Sequence, residues 1–181
     1  MKNEVFIDKV FKEIGTTNKF AVEFGCHADH KLTVCKHLEK DGWTTRYFGI
    51  EHAPHIKSDI IRKFITAHNI NDVFKKHGVP QEFDLISIDI DGMDYWVWKA
   101  LKYKPRAVII EYNKLRKKGV QPYFAYNKWN MIEDDYYGAC KEELIKLGEE
   151  KGYEFYGQNE DNLFFKLYAN NTKKVHLKKT I

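Results

Sequence analysis

Short apolar runs and longer stretches with helical spacing alternate along this chain, and their order predicts an α/β fold. The opening stretch MKNEVFIDKVFKEIG reads as an amphipathic helix with acidic residues in it. Residues 19–25 (KFAVEFG) form an apolar run ending in glycine, which predicts a buried strand and a sharp turn. From about 30 to 40, Leu32, Cys35 and Leu38 recur at helical spacing, and Asp41-Gly42 ends that helix. Residues 46–51 (RYFGIE) are the next strand, 60–65 a weaker one, and Ile70, Val73 and Phe74 mark a short helix closing at Gly78 and Pro80. The clearest strand is 83–90 (FDLISIDI), followed by a helix over 93–101 and a nearly all-apolar strand over 107–112 (AVIIEY). Runs apolar on both faces, alternating with helices, mark a parallel sheet.

After residue 113 the pattern changes. Residues 114–135 read as a loop rich in basic, aromatic and amide side chains, too long for a plain connection. A helix over 137–151 closes at Gly152, and strands over 153–157 and 163–168 flank the turn residues 158–162 as an antiparallel hairpin. The sum is a doubly wound, mostly parallel sheet of about seven strands with a C-terminal antiparallel hairpin. With no internal repeat or linker-like stretch, residues 1–170 form one domain and 171–181 a basic tail.

Charge first points toward nucleic acid, with a formal net charge of +4, but its location removes that reading. Lys173, Lys174, Lys178 and Lys179 lie in the tail; without those four of the 30 basic residues the body carries 26 against 26 acidic ones. No nucleic-acid partner is expected. No apolar run approaches the roughly 20 residues that span a bilayer, and the N-terminal stretch lacks an apolar signal core, so the expectation is a cytoplasmic protein with no membrane partner. Three cysteines at scattered spacing form no zinc or redox motif, which fits a reducing compartment.

In an open α/β sheet, ligands collect at the carboxyl ends of the strands. Here every such end is acidic: Glu23, Glu51, the pair Asp89 and Asp91, and Glu111. A carboxylate beside an apolar sheet is costly unless it is hydrogen-bonded or faces a ligand. Glu51, ending the second strand, stands where nucleoside-binding folds accept ribose hydroxyls; the competing reading is a cap or a lysine partner. Gly25 is the single glycine of a first turn that continues Cys26-His27-Ala28-Asp29, so the dinucleotide fingerprint is absent and a ligand without phosphates suits it better. Strand alternation puts Asp89 and Asp91 on one side, able to hold a hard divalent cation such as Mg²⁺, orient a hydroxyl or take its proton. The structural alternative is that Asp91 caps the next helix, whose first turn holds Asp94. Glu111 and Asn113 add a carboxylate and an amide from the neighbouring strand end. His27, His30, His52 and His55 follow two adjacent strands, but their spacing matches no zinc site. Trp96 and Trp98 cannot both face the sheet, so one belongs to the core and the other to the ligand mouth.

Several stretches resemble the FkbM-type S-adenosylmethionine-dependent methyltransferases: VEFG (22–25), DGW (41–43), GIE (49–51), ITAHNINDVF (65–74), FDLISIDIDGMDYWVWKALKYKPRAVIIEYN (83–113), DYYGA (135–139), KGYEFYG (151–157) and NLFF (162–165). The resemblance covers about residues 19–168, and the block IDIDG…YWVW…KPR…IEYN carries most of its specificity. It implies a Rossmann-like methyltransferase fold and S-adenosylmethionine as cofactor. The pocket would be formed by Glu23, Gly25 and Glu51, with Thr66, Ala67 and Asn69 near the adenine and Asp89 and Asp91 where methyl donor and acceptor meet. The first loop departs from the family pattern, reading Cys26-His27-Ala28-Asp29 where members usually carry a second glycine, and Asp29 is then the candidate partner of the cofactor's amino group, with His27 beside it.

The leading expectation is methyl transfer to the hydroxyl of a small acceptor such as a sugar. Asp89 or Asp91 would receive or orient the hydroxyl proton, with Glu111 and Asn113 in support, and a cation bridging Asp89, Asp91 and Asn113 would serve the same end. The rivals are a methyltransferase-like fold that binds a ligand without catalysis and a metal-dependent hydrolase built on the histidines and aspartates. Lys114, Arg116, Lys117 and Lys118 open the long loop and would steer an anionic acceptor, for example a phosphorylated or nucleotide-linked sugar.

Overall fold

The computed structural model describes residues 2–26, 33–50, 59–123 and 137–169. Its elements are α1 (Asn3–Ile14), β1 (Phe20–Phe24), a 3₁₀ turn (Lys36–Asp41), β2 (Thr44–Gly49), β3 (Ile61–Arg62), α2 (Ile70–Lys76), β4 (Glu82–Ile88), α3 (Asp94–Ala100), β5 (Lys104–Glu111), α4 (Lys141–Lys151), β6 (Tyr153–Gln158) and β7 (Asn162–Leu167). The strands form a seven-stranded sheet in the order β3-β2-β1-β4-β5-β7-β6. β1 through β5 pair in parallel, and β7 runs antiparallel between β5 and β6. This is the mostly parallel, doubly wound sheet with an antiparallel end that the sequence pattern predicts, a Rossmann-like methyltransferase fold. The chain winds outward from β1 to β2 and β3, then returns to lay β4 on the other side of β1. The switch point therefore falls between β1 and β4, where both neighbouring chains leave the sheet in opposite directions.

Two apolar layers sandwich the sheet. Phe24, Phe48, Ile86, Ile88 and Ile110 face α2, α3 and α4, whose Phe74, Trp98 and Leu147 complete one core. Ala21, Tyr47, Leu85, Ile109 and Phe164 face α1 and the 3₁₀ turn, meeting Phe6, Ile7, Val10 and Leu38. Alternation along each strand sends successive residues to opposite layers, so one strand feeds both cores.

An anchor at the amino end of the sheet has no counterpart in the pattern reading. Asp84 is fully buried; its carboxylate accepts from the backbone N–H groups of Thr17, Asn18 and Lys19 at 2.8–3.1 Å and from the Thr17 hydroxyl at 2.9 Å. Arg106 from β5 pairs with it at 3.0 Å and also donates to the carbonyls of Ile14 and Gly15. The α1–β1 connection, including Lys19 at φ +49°, is thereby bound to the two central strands.

Two expected helices are shorter than the periodicity predicts. Within 30–40, Leu38 is buried as expected, but the described helix is the 3₁₀ turn at Lys36–Asp41, closed by Gly42 at φ +78°. The Glu23 carboxylate takes the N–H groups of Val34 and Cys35, which occupies the backbone just before that turn. α4 begins at Lys141 rather than 137, because residues before it pair with the other end of the long excursion. Val120 bridges Ala139 antiparallel, Gln121 N–H donates to the Gly138 carbonyl and Cys140 N–H to that of Gly119. The weak third strand is reduced to two residues. No described helix is long and apolar enough to cross a membrane.

Candidate functional site

A cavity of about 320 Å³ opens at the carboxyl ends of β1, β2 and β4, over the switch point. That is within the usual range for a small-molecule pocket, about 300–1,000 Å³. Two glycines shape its floor by letting backbones approach. Gly25 lies at φ +75°, and a Cβ there would sit 1.7 Å from the carbonyl oxygen of Asp89. A Cβ on Gly49, at the end of β2, would sit 2.2 Å from the carbonyl oxygen of Cys26. The first turn is thus clamped between its neighbours on both sides, and only hydrogen fits at either contact. Phe64 and Ile65 after β3 and Ile90 and Met93 after β4 supply apolar walls, while Lys63, Ser87 and Asn162 contribute polar ones.

Glu23 lines this cavity, but both of its carboxylate oxygens are engaged by the first loop, at 2.6 Å from Val34 N and 2.8 Å from Cys35 N. Burial raises its pKa against those two bonds, which lower it. Its structural work is to hold the returning end of the first loop against β1. Gly25 lies in the wall as expected. Thr66 and Asn69 bind each other reciprocally, Asn69 Oδ1 accepting from Thr66 N and Thr66 Oγ1 from Asn69 N, while Asn69 Nδ2 donates to the Phe64 carbonyl. This turn presents Phe64 and Ile65 to the cavity; Thr66, Ala67 and Asn69 are not themselves among its described lining. His27, Asp29 and Glu51, with His30, His52 and His55, fall outside the described residues, as do 124–136 of the long loop and the basic tail.

The carboxylates at the ends of β4 and β5 do converge. One oxygen each from Asp89, Asp91 and Glu111 lies within 4.8 Å of the others. Strand alternation is not the cause, because β4 ends at Ile88 and Asp91 adopts φ +50°. The cause is buried Asp94, which accepts from Ile90 N at 2.9 Å and Gly92 N at 3.0 Å, gripping the loop on both sides of Asp91. Asp91 therefore does not cap α3, whose N-cap position is Met93 without a side-chain cap bond, and Asp94 holds the preceding loop instead. Burial first, and then the Asp89 charge, raises the Asp94 pKa well above the carboxylate range. Glu111 is raised further, by burial and then by Asp94, Asp89, Asp91 and Asp161, far enough to keep its proton at neutral pH. The Tyr137 hydroxyl reaches Glu111 Oε1 at 3.5 Å, and the Glu111 charge pushes that phenol up to about 12.

Asn113 stands apart from this set. Its amide nitrogen donates to the Tyr137 carbonyl and its oxygen accepts from Leu115 N, so it ties the start of the long excursion to its end. Trp96 adds to that stem by donating Nε1 to the Gln121 carbonyl at 2.8 Å, and Trp98 is fully buried in the core. The division between the two tryptophans is the expected one, although Trp96 braces the stem instead of lining the cavity. Lys114 pairs with Asp161 at 3.4 Å and Arg116 donates to the Tyr137 carbonyl, so two of the four basic residues hold this region together. Cys26 and Cys35 are buried, with thiols raised by burial far out of nucleophilic range.

Sequence reasoning missed Ser87, Gly49 and the gripping role of Asp94. Gly49 carried a readable signal, a glycine inside an otherwise β-rich run, which marks close backbone approach. Ser87 and Asp94 had none, because their roles depend on which strands are neighbours.

The fold is a doubly wound, Rossmann-like α/β domain with a cavity at its switch point. No family model and no curated protein matches the chain. Among solved structures, a SAM-dependent methyltransferase from Aquifex aeolicus is similar at 13% identity and TM-score 0.37, over 93% of this chain and 100% of that one. A likeness that distant transfers no function.

Proposed function

We propose that this chain is an S-adenosylmethionine-dependent methyltransferase acting on a hydroxyl of a small acceptor, a sugar or a related molecule. The observation that carries the reading is the cavity at the β1–β4 switch point, cleared by Gly25 and Gly49 and bordered by the converging carboxylates. When bound, S-adenosylmethionine supplies a methyl group already made electrophilic by its sulfonium, so the chain needs chiefly to align the acceptor and manage one proton. The apolar walls at Phe64, Ile65, Ile90 and Met93 suit a flat adenine, shaped by the Thr66–Asn69 turn. Glu51, next in the chain after the cavity residue Ile50, is the proposed ribose partner, and His27 and Asp29 of the first loop the proposed partners of the methionine end.

Asp89 and Asp91 border both the cavity and the carboxylate cluster, which makes them the groups to orient an acceptor hydroxyl and receive its proton. Glu111, protonated at neutral pH, serves as a hydrogen-bond donor beside them. Asn113 acts as a positioning residue through Tyr137. The basic residues Lys117 and Lys118, with Lys114 and Arg116, are proposed to favour an anionic acceptor.

Isothermal titration of the folded chain with S-adenosylmethionine tests the reading directly. Saturable one-to-one binding in the micromolar range is expected, weakened at least tenfold by Glu51→Gln. Folded protein giving no heat at millimolar cofactor would overturn it.

A further inference from the structure

We propose that the side-chain amides of Asn3 and Asn162 form a hydroxyl-reading subsite at the end of the cavity away from Phe64 and Ile65, and that it selects an acceptor with a second hydroxyl beside the reacting one. Hydroxyl binding stands on the geometry alone; its assignment to the acceptor rests on the methyltransferase reading.

The cavity runs across the sheet. On one side Phe64 and Ile65 follow β3; on the other its wall includes Asn162, the first residue of β7, and Asn3, the first residue of α1. The two asparagines are distant in sequence and are brought together by an aromatic stack. Phe6 of α1 lies against Phe164 of β7 with ring centroids 4.6 Å apart. Asn3 is one helical turn before Phe6 and Asn162 is two strand residues before Phe164, so each amide lies on the face its phenylalanine defines. The proposed cofactor contacts occupy the ends of β3, β2 and β1 and stop at Asp89 and Asp91. The asparagine end is left beyond them, on the acceptor's side.

A third asparagine fixes the pair. Asn159 Oδ1 accepts from Asp161 N at 3.0 Å and Asn162 N at 2.6 Å, closing the β6–β7 turn, while its Nδ2 donates to Asn3 Oδ1 at 2.9 Å. That last bond ties the start of α1 to the turn and leaves Asn3 Nδ2 as the group to be satisfied. Asn3 Nδ2 donates to nothing among the described residues, and the Asn162 side-chain amide makes no hydrogen bond among them, although both residues are half-buried in the cavity wall. The Asn113 amide, by contrast, is spent on Tyr137 and Leu115. An amide offers donors and an acceptor without charge, which complements a hydroxyl that both donates and accepts. With one hydroxyl at the aspartates, a neighbouring one falls to the asparagines. A site built to hydrogen-bond a hydroxyl discriminates strongly against a molecule lacking it, because its own polar groups are then left unpaired.

The test follows the side-chain amide signals of the full, ¹⁵N-labelled chain by nuclear magnetic resonance, with Asn3→Ala and Asn162→Ala identifying the two pairs. The probes are myo-inositol, a six-membered ring with contiguous hydroxyls, and cyclohexanol, the same ring with one, both added without cofactor. Inositol should shift the Asn3 and Asn162 amides saturably and leave those of Asn18 and Asn71, which are bonded to the Glu82 and Ala100 carbonyls, in place. Cyclohexanol should bind at least about tenfold more weakly. Each alanine variant should weaken inositol binding about three- to tenfold with its backbone spectrum otherwise preserved. No shift of either amide up to about 100 mM inositol, an equal response to cyclohexanol, or binding that both variants leave intact overturns the proposal. Titration with S-adenosylmethionine is a separate measurement. Inositol binding at the asparagines without cofactor heat would sink the methyltransferase reading and not the subsite, and cofactor heat with silent asparagines would do the reverse.

Discussion

Replacing Gly25 with alanine tests whether the cavity floor is built by close backbone approach. Two costs act at this position. The residue sits at φ +75°, where an L side chain costs about 1–2 kcal/mol. The new methyl would also stand 1.7 Å from the Asp89 carbonyl oxygen, well inside contact distance, so β1 and the end of β4 must move apart. Forcing an extra methyl into packed structure costs about 1–3 kcal/mol. Gly42 separates the two costs, because it has φ +78° and nothing within 4 Å of its virtual Cβ. Both substitutions restrict the unfolded chain equally, so that contribution cancels in the difference. Gly42→Ala should therefore lose only the conformational part, and Gly25→Ala about 1–3 kcal/mol more. With a urea slope of roughly 2 kcal/mol/M, the two midpoints should differ by about 0.5–1.5 M, read by tryptophan fluorescence. Midpoints within about 0.2 M of each other would refute the close-approach argument. If Gly25→Ala folds, its displaced Asp89 carbonyl should also lower affinity for S-adenosylmethionine, whereas Gly42→Ala should leave affinity unchanged.

Asp84→Ala removes a buried carboxylate that serves three backbone N–H groups and strands Arg106; urea unfolding should show a loss of about 3–5 kcal/mol. Asp94→Ala should raise amide exchange rates at Ile90 and Gly92 selectively, with a stability loss of about 1–3 kcal/mol, and unchanged protection there would contradict the gripping role. Trp96→Phe deletes the bond to the Gln121 carbonyl and should cost about 0.5–1.5 kcal/mol, with faster exchange at the Gln121 and Cys140 amides that close the stem. Neutralising Lys117 and Lys118 should weaken binding of an anionic acceptor in a salt-dependent way, read from acceptor KM at low and high ionic strength; no change rejects steering by these two residues.

The apolar runs FDLIS and AVIIE were legible as central strands because burial on both faces requires continuous hydrophobicity, and that requirement is visible residue by residue. The switch point followed from their order, and with it the prediction that acids at strand ends share one site. Three features were misread or invisible. The Asp pair was expected to converge through strand alternation, yet the strand ends at Ile88 and it is Asp94 that bends the loop to bring Asp91 in. The helix expected from residue 137 starts at Lys141, because helical spacing cannot reveal that Ala139 pairs with a residue 19 positions earlier. Glu23 lines the cavity as expected, but its role as a backbone anchor was invisible, since its partners Val34 and Cys35 arrive from the far end of the first loop.

By itself, the sequence determined the layered α/β architecture, the two-core sandwich and the strand ends at which acids accumulate. Those follow from periodicity and chain order, which are local properties. Tertiary structure alone decided which of those acids meet and which are consumed by backbone N–H groups. Such outcomes depend on the register between β1, β4 and β5 and on loop conformations held by single hydrogen bonds. A carboxylate's chemical role is set by its neighbours in space, and the backbone N–H groups that Asp94, Glu23 and Asp84 accept lie from 2 to 67 positions away in the chain.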